Sequence, residues 1–196
     1  YEIMPSLVGS EMCIRDRRRE RIIIIYIRTL RIYAKRLRKQ VIYLAVCTFA
    51  GHREVFSSSI EADIDCALEE IIQTDDDFIF YSGGMGEFDK KCESAVRRIK
   101  RTHPERSIRL VLVLPYLTHE INRDKEYFEA YYDDIVVPTE LMGVHYKVAI
   151  KKRNRWMVDR ADVVLAYIYR DFGGAFDTTR YAYRMGKPVL NLAGKE

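Results

Sequence analysis

Residues 78–90 read FIFYSGGMGEFDK: a four-residue apolar and aromatic run, then three glycines, Gly83, Gly84 and Gly86, directly before a segment of helical character. The run has the composition of a strand buried on both faces. Glycine loses more backbone freedom on folding than any other residue. Three of them here mark either a tight turn or a place where a ligand rests against bare amides. A strand that ends in a glycine loop and re-enters a helix is also the arrangement in which a helix N-terminus receives a phosphate.

The same grammar recurs on both sides. Residues 41–47, VIYLAVC, form a continuous strand-like run, followed by the loop TFAGHREVF. In SSIEADIDCALEEIIQ, Ile60, Ile64, Ala67, Leu68 and Ile71 fall at helical spacing, and Ser58 with Glu61 has capping-box spacing. A helix is expected over residues 89–103, acidic at its start and basic at its end as the macrodipole favours. Further strands are expected at 107–116, in DIVVP, at 162–169 and in KPVLNLA. Further helices are expected in NRDKEYFEAYYD, at 143–161, and in TTRYAYRM, closed by Gly186. Strand and helix alternate throughout. This predicts an α/β fold: an open, mostly parallel sheet of five to six strands with helices on both faces.

In such a sheet ligands sit beyond the strand C-termini. Three loops leave strand ends there: residues 48–53, 82–89 and 170–178. The first offers Thr48, Gly51, His52 and Arg53. The second offers Ser82, Gly83, Gly84, Gly86, Glu87 and Asp89; its G-G-x-G order is neither a Walker motif nor GxGxxG. Asp89 is expected to cap its helix or to hold ribose hydroxyls. The third offers Gly173 and Gly174, with Thr178 and Thr179 expected to start a helix. Asn154 is placed to reach the ligand edge, or belongs with Arg153 and Arg155 to a solvated face. Weaker acid candidates for chemistry are Glu87, Asp89 and Glu120. No Ser-His-Asp order and no HExxH spacing occurs.

The net charge of +4 is unevenly held. Residues 1–40 carry 11 Lys and Arg against 4 Asp and Glu, whereas residues 41–196 carry 22 against 25. The basic character belongs to the N-terminal extension, and the remainder argues against nucleic acid as a partner. Within that extension, PSLVGSEMCIRDR at residues 5–17 resembles a translated sequencing-adapter fragment, so residues 1–40 are set apart from a single domain at 41–196. No run is long enough for a membrane span. The four cysteines lack CxxC spacing. They are expected to be reduced thiols of a cytoplasmic protein, with no metal site.

GHR after the first strand, the glycine loop with Asp89 after the second, VLP after the third, and the runs RNRWMVDRADVVLAY and GGAFDTTRYAYRMGKPVLNL together resemble the YpsA-like branch of the SLOG superfamily. These are Rossmann-like domains related to DprA and to the LOG enzymes. The resemblance spans about residues 41–193. It implies a nucleotide-derived small molecule of NAD, ADP-ribose or nucleoside monophosphate type, bound or sensed at the glycine loops without a required cofactor, in a chain able to form a homo-oligomer. Two alternatives follow from the same superfamily: hydrolysis of an N-glycosidic or phosphoribosyl bond, and DprA-like binding of single-stranded nucleic acid. Overlaying the LOG motif P-G-G-x-G-T-x-x-E on Gly173 and Gly174 puts Phe176 at the third glycine and Arg180 at the catalytic Glu. An arginine cannot act as that acid, which argues for binding over LOG-type catalysis.

Overall fold

A computed structural model describes residues 44–117, 121 and 123–194; the basic extension and Glu120 lie outside the described residues. Six strands, β1 (Ala45–Gly51), β2 (Asp77–Ser82), β3 (Ser107–Val113), β4 (Asp134–Val136), β5 (Val163–Tyr167) and β6 (Val189–Asn191), form one sheet in the order β4-β3-β2-β1-β5-β6. Every pairing is parallel. Among the described residues five α-helices accompany them: α1 (Ile60–Ile72), α2 (Glu87–Thr102), α3 (Lys125–Tyr131), α4 (Tyr146–Arg160) and α5 (Gly174–Arg184). The architecture is the Rossmann-like α/β fold expected from the alternation.

The pleat sorts the sheet residues between two faces. Ile79, Val111 and Val113 pack with Met157 of α4. Ala50, Val164 and Ala166 pack with Val158 of α4 and Ala182 of α5. The alternate residues face the other way, where α1 packs on α2 and α2 on the sheet. Burial of the sheet on both faces explains why β1, β2, β3 and β5 read as apolar runs rather than alternating ones.

Strand order runs outward from β1 through β2 and β3 to β4, then restarts on the other side of β1 with β5 and β6. This reversal opens a crevice at the C-terminal ends of β1 and β5.

Of the boundaries that differ from expectation, three bear on the site or its helices. β1 runs to Gly51, because residues 48–51 pair with Val164 through Tyr167 of the neighbouring β5. Thr48 therefore sits in the strand, not in a loop. α1 is preceded by Ser59, whose hydroxyl donates to Asp63 and accepts from no amide of the helix, so the Ser58–Glu61 capping box does not form. α5 begins four residues before Thr178, at Gly174, because Gly173 supplies the N-cap in a backbone region (φ 97°, ψ 175°) that glycine alone adopts readily. Its far end closes as expected: Gly186, at φ 67°, lets Lys187 N reach Ala182 O at 2.9 Å and its own N reach Tyr183 O at 3.1 Å.

Candidate functional site

The crevice holds a cavity of about 220 Å³. Its lining brings together Gly51, His52, Arg53, Gly83, Asp89, Asn154, Gly173, Gly174 and Thr178 from the sequence-predicted set. Further lining residues, among them Met85, Ile150, Arg153, Met157 and Arg170, were not singled out as ligand contacts. The three loops meet at one rim. Thr48, Ser82, Gly84, Gly86 and Glu87 do not reach the lining.

Each of those five has another task. Thr48 is fully buried and its Oγ1 donates to Tyr81 O at 3.2 Å, tying β1 to β2. Ser82 Oγ donates to Glu93 Oε1 at 2.5 Å and accepts from Gly84 N at 3.1 Å. Gly86 is the N-cap of α2 at φ 132°. Glu87 Oε2 accepts from Val55 N at 3.1 Å and so holds the loop after β1. Glu93 is the anchor of this cluster. Burial raises its pKa to about 7, opposed by the Ser82 hydroxyl and assisted by the charge of Asp89.

The second glycine loop is closed upon itself. Met85 N donates to Asp89 Oδ2 at 2.9 Å and Glu87 N to Arg53 O at 3.0 Å. Asp89 thus ties the loop ahead of the N-cap to the first turn of the helix; the helix itself has no side-chain cap, so the expected capping by Asp89 is not observed. Its carboxyl is buried, and burial raises its pKa against the pull of the Met85 amide and the Arg153 charge. The glycines here serve packing: a Cβ on Gly51 would meet the Phe88 side chain at 2.2 Å, and one on Gly83 would meet Arg153 Nη1 at 2.6 Å.

The third loop is open. A Cβ on Gly173 or Gly174 would meet nothing within 4 Å. The first N–H groups of α5 have no carbonyl partner within the helix, and Gly173, Gly174 and Ala175 line the cavity.

Arg153 forms the floor. It is 2 % exposed, on a helix where a solvated face was one expectation. Its Nη1 donates to Gly83 O at 2.8 Å and Val113 O at 2.6 Å, its Nε to Asn154 Oδ1 at 2.9 Å, and its Nη2 to Met85 Sδ at 3.1 Å. A guanidinium has five N–H groups, so among the described residues one on Nη2 is left without a partner. Burial lowers its pKa to about 10, which leaves it charged at neutral pH. Asn154 Nδ2 donates to Thr178 Oγ1 at 3.1 Å, and that hydroxyl donates to Gly174 O at 2.7 Å. Asn154 lines the cavity rather than a solvated face.

His52 is 3 % exposed and lines the cavity with Nε2 buried and unpartnered among the described residues. Burial first, and the nearby Arg170 charge second, lower its pKa, so the ring is neutral at pH 7. The lining carries Arg53, Arg153 and Arg170 against Asp89 alone, which favours an anion. Arg180, at the position overlaid on the LOG glutamate, pairs with Asp177 at 3.0 Å and does not line the cavity.

The sequence carried one usable signal for Arg153. It stands midway between Ala149 and Met157 at four-residue spacing, on the buried face of α4. Among the described residues no group of His, Cys, Asp and Glu is placed to hold a metal, and no helix is long and apolar enough to cross a membrane.

No family model and no curated protein matches the chain. Solved structures do. DNA processing protein A (DprA) from Streptococcus pneumoniae matches with a TM-score of 0.53 at 14% identity, over 76% of this chain and 50% of that one. DprA from Helicobacter pylori, described for its single-stranded DNA binding mode, matches with a TM-score of 0.52 at 16% identity, over 75% of this chain and 64% of that one. The chain spans between half and two thirds of the length of these proteins. At such identity the likeness is one of fold, and the Rossmann-like fold of this chain is the one it shares with DprA.

Proposed function

We propose that the crevice binds a nucleotide-derived small molecule through its phosphate, in the manner of the YpsA-like branch of the SLOG superfamily. The observation that carries this reading is the convergence of an open helix N-terminus at Gly173 and Gly174 with the arginines Arg53, Arg153 and Arg170 on one cavity. Helix amides and guanidinium groups are the two donors that best match phosphate oxygens. The unpartnered Nε2 of neutral His52 supplies an acceptor or donor for a ribose hydroxyl. A volume of about 220 Å³ lies below the roughly 300–1,000 Å³ of drug-sized sites, so the enclosed part suits a phosphate and ribose. The rest of an NAD or ADP-ribose molecule would lie across the mouth.

Thermal unfolding of the full chain with AMP, ADP-ribose and NAD tests this. A ligand at 100 times its Kd adds about 2.7 kcal/mol of stability. That corresponds to a rise in Tm of roughly 5–10 °C for a domain of this size. No shift with any of the three at millimolar concentration overturns the reading.

Two observations favour other readings of the same crevice. The buried carboxyl of Asp89, with its raised pKa, is suited to donate a proton to a leaving base, as N-glycoside hydrolysis requires. Release of adenine from AMP, lost on Asp89→Asn, is its signature. The fold shared with DprA favours single-stranded DNA. Its signature is oligonucleotide binding whose affinity falls steeply with salt.

A further inference from the structure

The segment that leads into the open helix N-terminus exposes aromatic rings. Phe172, immediately before the Gly173 N-cap, is 62% exposed, and Phe56, from the loop after β1, is 70% exposed. Tyr169 packs edge-on to Phe56, with ring centroids 5.3 Å apart, and edge-on to His52 at 4.5 Å. The Arg170 guanidinium lies 4.9 Å from the Phe172 centroid and 5.5 Å from that of Tyr169. His52 and Arg170 line the cavity, so the rings continue its wall outward.

The ledge is held in place from beneath. The hydroxyl of Tyr167, at the end of β5, accepts from both Phe56 N and Ser57 N at 3.3 Å. The Tyr167 ring stacks on Phe88 at 5.8 Å and leans on Tyr169 at 5.6 Å. Phe56 and Phe172 both stay mostly exposed at the rim, the backbone at Phe56 and Ser57 is held by the buried Tyr167 rather than left to turn the ring inward, and apolar surface exposed beside a cavity marks a binding surface.

We infer that Phe172, joined through the Arg170 guanidinium to the Tyr169–Phe56 ring pair, forms a stacking ledge for the nucleobase of a ligand whose phosphate sits at the N-terminus of α5. The inference rests on the phosphate reading above and extends it to the other end of the ligand. Phe172 and Gly174 are two residues apart, so their Cα atoms are at most about 7 Å apart, a separation that a ribose bridges. Every base offers a π-face, so the ledge selects for the presence of a base rather than for one base over another. A free mononucleotide and one residue of a single strand present the same phosphate, sugar and base, and both are chemically suited to it.

The test compares AMP with ribose 5-phosphate, which lacks only the base, by titration calorimetry on the full chain, together with a short oligothymidylate. Phe172→Ala is the main variant, Phe172→Tyr retains the ring, and Phe56→Ala probes the ring pair; both phenylalanines are exposed, so folding is preserved. The wild-type chain should bind AMP about tenfold or more tighter than ribose 5-phosphate, the range base–aromatic stacking provides. Phe172→Ala should erase that advantage while leaving ribose 5-phosphate unchanged, and Phe172→Tyr should restore it. If the strand rather than the mononucleotide is the tighter ligand, Phe172→Ala should weaken the strand by a similar factor, which supports the ledge with DNA as its source. Equal binding of AMP and ribose 5-phosphate by the wild-type chain overturns the ledge but leaves the phosphate site standing. Failure of all three probes to bind overturns both.

Discussion

The guanidinium of Arg153 and the carbonyl oxygen of Gly83 meet at 2.8 Å beneath the glycine loop, where no side chain at position 83 would fit between them. The loop glycine is there for the arginine, and the arginine holds the end of β2 to β3 through Val113 O.

Gly83→Ala should therefore act on stability first. The added Cβ falls within 2.9 Å of Cζ and both Nη atoms, so the buried cation must leave its two carbonyls. Loss of a buried charge's partners costs about 3 kcal/mol. Urea unfolding should show this as a lower midpoint at constant slope. A loss under about 0.5 kcal/mol would show that the guanidinium moves aside freely.

Gly174→Ala should do the opposite. Position 174 is the first residue of α5, is not among the positive-φ glycines, and has open space around its Cβ direction. Alanine there should leave stability unchanged or raise it by about 0.4–1 kcal/mol. A methyl group where phosphate approaches should weaken AMP at least tenfold. Unchanged affinity would place the anion elsewhere.

Glu93 should make stability fall as pH rises. Its pKa is about 7 in the folded protein against an unperturbed 4.5, so between these values the unfolded chain has released its proton while the folded chain still holds it. The stabilisation is complete below pH 4.5 and is lost as pH rises through 7. Its size is on the order of 3 kcal/mol at most. Glu93→Gln, neutral at every pH and still able to accept from Ser82, should flatten that slope in denaturation curves taken from pH 5 to 8. An unchanged slope would assign the dependence to another group.

Asn154 and Thr178 should be energetically coupled. Their 3.1 Å hydrogen bond joins α4 to α5 and continues to Gly174 O. A double-mutant cycle with Asn154→Ala and Thr178→Ala should return a coupling of about 0.5–1.5 kcal/mol. Additive losses would show that the two side chains act independently.

The glycine loops and the strand runs made the sheet and its rim readable, because burial on both faces leaves an unbroken apolar signal and a helix N-cap in a glycine-only conformation leaves a glycine. The details hidden were those that depend on partners far along the chain. Thr48 looks like a loop hydroxyl until β5 pairs beside it and extends β1. Arg153 looks solvated because an arginine within a charged run ordinarily is; its burial depends on Gly83 and Val113, 70 and 40 residues away. The second glycine loop looked like a phosphate cradle, yet Asp89, Ser82 and Arg53 already occupy its amides. Composition shows where amides are bare of side chains, not whether the chain itself has claimed them.

Because all six strands run the same way, the turns that enter them lie on the face of the molecule opposite the crevice. Residues 73–76, 103–106 and 185–188 belong to that side. A tether or fluorophore attached there lies away from the crevice, so the domain can be fixed to a sensor surface with the strand C-termini turned to the solution.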